Sequence, residues 1–580
     1  MYEQTIAVVG MGLRYPSAET KEALCSMLEQ GISAPVGDHQ ARGDLLGIPD
    51  YHRFLQSIRC IDHLDWFDNS YFGLVKPEVM EMPPELRLTM LCAAQTVMDG
   101  GYSTEKLSRR RCGAVVSHTT GSYRHLLPRT TFLSFFNNMP GMTCGYLAHY
   151  FRLNGPVYHL DSTCSSSLTA VAAACNHLLL GQADLMLAGG VQICLPINQQ
   201  EARDMQSNVL SLGAEQRCIP FDIHAAGFYS GEGAGFVLLE RYEDAVKRGD
   251  HIYGIIRGYG MQSNADLSPT IYAPNAQAQL TALRQAWDMA GITREDLTEF
   301  EAHGAATKQG DAAEVQSMTQ ALTGREKPEP VYLTAVKSNL GHTGCAAGIT
   351  SLLKMLCAFQ QHAVYPIAGF TEPAPELKLS EAHLEPVRRT IQMDPAKRRI
   401  ADIGSYGLNE LNVHLVLENY IPEQDAPVPE ESRTCFLKCS GCTEDALRLC
   451  LEQIRQAVQE TNQFGDLIYT LNCGREDLAY RCFLRFRDRQ TLLEQLQDPD
   501  AVRVVKCRPM HGAAKAFSDP AQLEQAYLTG DAIDWCSWYQ NAGYRSIPTV
   551  IYPFAHKSIW PKVPEPVSYT HLRAHETSAH

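Results

Sequence analysis

The sequence has no excess of positive charge, no long apolar run and no regular cysteine framework, and each absence excludes a class of function. Fifty Lys and Arg stand against 65 Asp and Glu in 580 residues, a net charge of −15. A nucleic-acid binder needs a basic surface to displace counterions from phosphates, so that class is set aside. No apolar run approaches the roughly 18 residues of a membrane-spanning helix. The first apolar run, Ile6–Val9, breaks at Gly10 and has no basic flank, which makes it too short for the core of an export signal. The 19 cysteines are odd in number and irregularly spaced, so reduced thiols in the cytoplasm are expected. A Gly-x-Ser-x-Gly nucleophile elbow is missing as well. What remains is an ordinary globular balance, 45% hydrophobic and 20% charged, able to support a large core.

As far as about residue 420, short β-rich runs alternate with helical stretches. A strand is expected at Thr5–Val9, others at Gly113–Ser117, Ala183–Ile193, Val331–Thr334 and His414–Glu418, and helices at Glu85–Asp99, Ser165–Leu180, Asn275–Ala290 and Gly348–Phe359. Such alternation predicts layered α/β architecture. Ile421–Glu431 then holds three prolines and four acids in eleven residues and reads as a linker, 421–432. Beyond it, a strand at Cys435–Cys439, a Thr443-capped helix and later helices at Arg489–Gln497 and Pro520–Leu528 predict a smaller α/β unit over 433–562. The tail, 563–580, holds three histidines and no apolar period in its last stretch; it resembles translated read-through and is expected to be non-native, the natural chain continuing past this point.

Three segments carry chemistry. In Asp161-Ser-Thr-Cys164-Ser-Ser-Ser-Leu168 an apolar strand end feeds a turn and then a small-residue helix. The helix N-terminus is expected to favour a Cys164 thiolate. Glu301-Ala-His303-Gly and Gly341-His342-Thr-Gly each set a histidine beside glycine at a turn. A cysteine nucleophile with two separate histidines suits thioester acyl transfer: the thiol takes the acyl group, and the histidines donate to an oxygen that turns anionic as carbon dioxide leaves.

These blocks, with Phe72-Gly73, Met82–Arg87 and Gly231-Glu-Gly-Ala-Gly235, resemble the β-ketoacyl synthase family from about Ile6 to Glu418, in particular ketosynthase domains of modular polyketide synthases. The resemblance implies a thiolase-like, five-layered αβαβα fold over 1–420, divided near 255 into two similar halves and forming a homodimer, with a small α/β flanking subdomain. It implies that Cys164 accepts the acyl group and that His303 and His342 drive decarboxylation of the extender. It gives Lys337 and Glu314 as an ion pair that orients the histidines. Asn412 matches the asparagine of the closing loop, and N–H groups of Cys164 and of the loop near Leu408 form the oxyanion hole. No metal or resident cofactor is implied; phosphopantetheine arrives on an acyl carrier protein.

The departures bear on scope. In the second block Ala305 and Ala306 stand where the family has Thr and Gly, leaving Thr307 to bond the phosphopantetheine arm. One such bond is worth about 1 kcal/mol. The closing loop carries Asn409 and Glu410 in place of two glycines; Asn tolerates a positive φ, and Glu does so poorly. Thr163 precedes the nucleophile where the family has Ala or Ser.

Ala526–Trp538 and Ile547–Trp560 resemble the segment that follows an acyltransferase in ordinary modules, yet no acyltransferase intervenes. The implied arrangement uses a separate, trans-acting acyltransferase. Two alternatives are kept: a non-elongating ketosynthase that only passes the chain on, and a docking or scaffold module with a vestigial cleft. Zinc at Cys439-x-x-Cys442 lacks a second knuckle, and Gly10-x-Gly12 lacks the third glycine of a dinucleotide loop because Tyr15 stands there.

Overall fold

A computed structural model describes residues 5–562 except 36, 38, 49–57, 120, 197–216, 265–267, 269, 423–434, 509–513 and 541. Most of the expected linker and the whole tail from 563 lie outside the described residues.

The first half contributes five strands to a large sheet: β1 (Ile6–Arg14), β2 (Cys112–His118), β3 (Val157–His159), β4 (Leu185–Gln192) and β5 (Gly233–Arg241). They lie in the order β1-β5-β4-β2-β3. The second half repeats this with β6 (Gly254–Ser263), β7 (Glu299–Glu301), β8 (Val331–Thr334), β10 (Ile400–Tyr406) and β11 (Leu411–Glu418), ordered β6-β11-β10-β7-β8, while β9 (Leu384–Pro386) extends its outer edge. In each half the first three strands in that order pair antiparallel and the remaining pairings are parallel. The duplication, invisible in the residues, is therefore explicit in the topology. The halves join through β1 and β6, Ile6 opposite Ile256. Since β6 opens at Gly254, the division expected near 255 falls inside a strand.

The strand expected to stop before Gly10 runs on to Arg14, buried throughout. Gly10 and Gly12 allow this because α1 (Pro84–Asp99) lies directly on them: a Cβ at Gly10 would meet the Thr96 carbonyl at 2.5 Å, and one at Gly12 the Cys92 carbonyl at 2.5 Å. The glycines mark close approach of a helix to a sheet rather than a turn.

Between the two strand layers sit α2 (Ser166–Leu179) and α5 (Ala347–Gln360), the third-strand crossovers of the two halves. Small residues let them touch: a Cβ on Gly348 would lie 2.6 Å from Leu168 Cβ, and the Ile349 N–H donates to Ser167 Oγ. On the outer faces, α1 covers the first half, and α3 (Ala276–Ala290) with α4 (Lys308–Leu322) covers the second. Helix, sheet, helix, sheet and helix make the five layers of a thiolase-like fold.

The flanking unit has β12 (Phe436–Gly441), β13 (Tyr480–Arg485) and β14 (Val505–Lys506) in one antiparallel sheet, with α6 (Glu444–Glu460), α7 (Phe464–Gly474) and α8 (Pro520–Thr529). Thr443 caps α6 as expected, its hydroxyl accepting the Ala446 N–H. Cys439 lies opposite Cys482 across β12 and β13. Among the described residues no group of His, Cys, Asp or Glu is arranged to hold a metal. The segment after this unit returns to the first half. The Phe67 N–H donates to the Lys557 carbonyl, buried Arg87 donates to the Ile559 carbonyl, and Phe554 packs on Tyr71 and Phe72. One continuous apolar core thus runs from the first half into the flanking unit.

Candidate active site

Cys164 sits in a single 3-10 turn, Thr163–Ser165, that precedes α2. The chain enters it through a left-handed residue, Thr163 at φ 55°, held by its N–H donating to Asp161 Oδ1. Behind Cys164, Ser405 donates its hydroxyl to the Cys164 carbonyl at 3.0 Å. The expectation of a resting thiolate needs correction. Burial pushes the Cys164 thiol above its ordinary value and outweighs the opposing pull of Lys337 and of the backbone N–H groups of Leu408 and Cys164 itself. Those two N–H groups are the expected oxyanion donors. They lie near enough to the thiol to pull its pKa down against burial, even though the Leu408 side chain is half exposed.

The two histidines lie edge to face with ring centroids 5.5 Å apart. The Tyr406 N–H donates to His303 Nδ1 at 3.3 Å, and the Gly344 N–H donates to His342 Nδ1 at 3.1 Å. A ring nitrogen that accepts carries no proton, so both imidazoles hold theirs on Nε2. Burial lowers both pKa values well below the ordinary range, and the Lys337 cation lowers them further. Both are neutral donors at physiological pH, the form needed to bind a developing enolate oxygen.

Lys337 and Glu314 were expected as an ion pair; instead they meet through His303. Lys337 donates to the His303 carbonyl, with its Nζ 3.4 Å from Nδ1, and Glu314 accepts the N–H groups of His303 and Gly304 at 2.7 and 2.9 Å. Together they fix the backbone that carries the ring. Thr307 caps α4 by accepting the Gly310 N–H, which leaves its proton available to a ligand. Asn412 is buried and donates to the Gln262 and Glu410 carbonyls and to Asn264, so it ties down the closing loop instead of facing a substrate.

Two residues of this site escaped the sequence reading, Ser405 and Tyr406. Both end β10, just ahead of Gly407 where the closing loop begins, and that adjacency was the available signal. Tyr406 also extends a buried chain: its hydroxyl lies 3.2 Å from His414 Nε2, while His414 Nδ1 bonds Asp402 and Asp402 accepts from Trp287. The departures from the family pattern cluster in unusual backbone: Ala306 and Glu410, both replacing glycine, adopt φ of 55° and 69°. The strained closing-loop position is therefore Glu410 and not Asn409.

Comparison with known proteins decides the family. The beta-ketoacyl synthase N-terminal domain matches residues 3–245, its C-terminal domain 253–371, and a ketoacyl-synthetase C-terminal extension 373–484. The chain belongs to the β-ketoacyl synthases. It is 27% identical to polyketide synthase PksL of Bacillus subtilis over 96% of its length, and 28% identical to the non-reducing polyketide synthase stbA of Stachybotrys bisbyi over 85%. It spans only 13% and 23% of those proteins. Among solved structures, the ketosynthase from module 6 of the bacillaene synthase of Bacillus subtilis superposes with a TM-score of 0.82 at 26% identity, covering 96% of this chain and 100% of that one. Ketosynthase twelve of the bacillaene synthase of Bacillus amyloliquefaciens gives 0.81 at 26%, covering 97% and 100%. The chain is thus a ketosynthase of the polyketide synthase type, an acyl-transferring condensing enzyme with no resident cofactor. Such ketosynthases work with acyl carrier protein domains and form dimers in homologous structures. Among the described residues no helix is long and apolar enough to cross a membrane.

Proposed function

We propose that this ketosynthase elongates, by decarboxylative Claisen condensation, an acyl chain bound to Cys164. The sulfur attacks a carrier-bound thioester, the oxyanion rests on the N–H groups of Cys164 and Leu408, and the pantetheine thiol leaves with a proton. A malonyl thioester then binds and its carboxylate departs as carbon dioxide. The Nε2–H groups of His303 and His342 stabilise the enolate oxygen, and the enolate carbon attacks the acyl carbonyl. Thiolate is released at Cys164, and a β-ketoacyl thioester two carbons longer remains on the carrier. Thr307 contributes a hydroxyl toward the arm.

The observation that carries this reading is the pair of facing histidines whose Nδ1 atoms each accept a backbone N–H, leaving both Nε2 atoms to donate: a domain that only transferred chains would have no use for two enolate donors. The extender reaches the carrier through a separate acyltransferase, the working unit is a homodimer, and the site of action is the cytoplasm, where unpaired cysteines persist. Intact mass spectrometry with an acyl-carrier thioester and malonyl-carrier protein tests the reading. Acyl mass on Cys164 together with a β-keto species two carbons longer on the carrier supports it. Loading without extension would leave transfer alone, and no loading would leave a docking module.

A further inference from the structure

Among the cysteines that the acyl chemistry leaves unused, one pair in the flanking region stands apart. Cys473 lies near the end of α7 and is 3% exposed, while Cys536 sits in a short helical turn, Trp535–Trp538, and is partly exposed. Both are free thiols and belong to one apolar cluster with Phe436, Tyr539 and Tyr544. Within it the Cys473 thiol donates a hydrogen bond to the Cys536 sulfur. The turn is held from two sides: Arg109 of the first half pairs with Asp534 at 2.9 Å, and Trp535 Nε1–H donates to Asp477 at 2.9 Å. The pair therefore lies where the first half, the flanking unit and the segment after it meet.

The surroundings divide the two sulfurs by role. The Cys536 thiol lies below its ordinary value, chiefly because Cys473 donates to it; the Lys106 and Arg109 cations add to that pull against burial and the Asp534 carboxylate. Burial pushes Cys473 the other way, against the Lys106 and Lys438 cations, so it keeps its proton. Tyr469 and Tyr539, which also face the pair, are buried phenols raised above their ordinary value and stay neutral. The other hydrogen-bonded thiols of this unit, Cys439 and Cys450, are both buried and both raised. A partly exposed thiolate beside a sheltered, protonated thiol suits oxidation by a peroxide followed by resolution.

We propose that Cys536 is a modification site for hydroperoxides and that Cys473 resolves the oxidised sulfur as a reversible disulfide. The Cys536 thiolate attacks a peroxide oxygen and the O–O bond breaks. Sulfur gives up two electrons, the peroxide's other oxygen takes them and a proton and leaves as water or an alcohol, and a sulfenic acid remains. The Cys473 sulfur then attacks the Cys536 sulfur, the S–O bond breaks, and hydroxide leaves with the Cys473 proton as water. A reduced thiol such as glutathione restores both cysteines and is itself oxidised to its disulfide. The bridge staples the 535–538 turn to α7 and belongs to the transient disulfides that a reducing compartment tolerates.

The test uses the full chain near neutral pH, as wild type, Cys536→Ser and Cys473→Ser, with hydrogen peroxide as the probe and every cysteine read at peptide resolution by mass spectrometry. Before oxidation, Cys536 alkylates with iodoacetamide at least about tenfold faster than Cys442 and Cys507, whose thiols burial raises. Buried Cys92 stays unlabelled in the same digest, which shows that the chain is folded. Alkylation of Cys536 no faster than that of Cys442 and Cys507 overturns the proposal. After peroxide, a peptide pair joined through Cys473 and Cys536, two hydrogens lighter than the free peptides, forms in wild type, is lost on adding glutathione and is missing from both variants. In Cys473→Ser, dimedone traps a sulfenic acid at Cys536. Oxidation of wild-type Cys536 without the link overturns the resolving role of Cys473, and a Cys439–Cys450 link in its place overturns the choice of site. Wild type against Cys536→Ser, at a partly exposed position, decides the matter if Cys473→Ser does not fold.

Discussion

The two halves of this ketosynthase build the same turn twice and use it for different ends. In each, the third strand leads through a 3-10 turn with a cysteine at its centre into a buried helix, Cys164 before α2 and Cys345 before α5. Cys164 is partly buried, and Lys337 and the Leu408 N–H pull its thiol down against that burial; Cys345 is fully buried, and burial pushes its thiol to about 12. The second turn spends its backbone on the neighbouring histidine, with the Gly344 N–H fixing the tautomer of His342. Shared backbone therefore does not imply shared chemistry. What separates the proposed nucleophile from the core residue is which groups lie near the sulfur and how deeply it is buried.

That contrast can be broken most sharply at the cysteines. Cys164→Ala abolishes acyl loading, a loss of at least about a thousandfold, whereas Cys345→Ala loads within about twofold of wild type and loses about 1 kcal/mol of stability to a small cavity; intact mass and thermal melting check both. His303→Ala or His342→Ala reduces condensation about a hundredfold or more by removing an enolate donor, while loading on Cys164 survives within about tenfold. Single-turnover assays that separate the two half-reactions decide this.

The pH profile sharpens the same division. Because the Cys164 thiol lies above its ordinary value, the thiolate fraction grows as pH rises, and alkylation or loading quickens about tenfold per unit between about pH 6.5 and 8.5. Condensation from pre-acylated enzyme stays flat over that range, because both histidines have pKa values well below 6.5 and remain neutral donors. Cys345 stays unreactive throughout. Smallest is Gly344→Ala: its Cβ would press on Gln192 Oε1 and adopt a positive φ, which lowers stability by about 1–2 kcal/mol, with a lower Tm and little change in loading.

Much of this was legible beforehand because it is local. The three blocks around Cys164, His303 and His342 are contiguous, and the strand–turn–helix context of Cys164 can be read from apolar runs and small residues. Contacts between distant segments were not. Gly10 and Gly12 look like a turn until α1 is seen lying on them. The Lys337–Glu314 link passes through the His303 backbone, which no residue pattern records. Ser405 and Tyr406 act through one hydroxyl and one N–H, and a backbone N–H belongs to almost every residue. The protonation of Cys164 was misjudged because the favourable turn is written in the sequence and the depth of burial is not.

The segment that returns to the first half bears on how such domains are exchanged between synthases. The Pro- and acid-rich stretch near 421 invites a cut, yet Arg87 would then lose the Ile559 carbonyl, and Arg475 would lose the Met98 carbonyl it reaches from the flanking unit. Tyr71 and Phe72 would lose their aromatic neighbour Phe554. Contacts tie the segments on either side of the linker together, and a chimera joined there would graft a new neighbour onto a surface shaped for the old one.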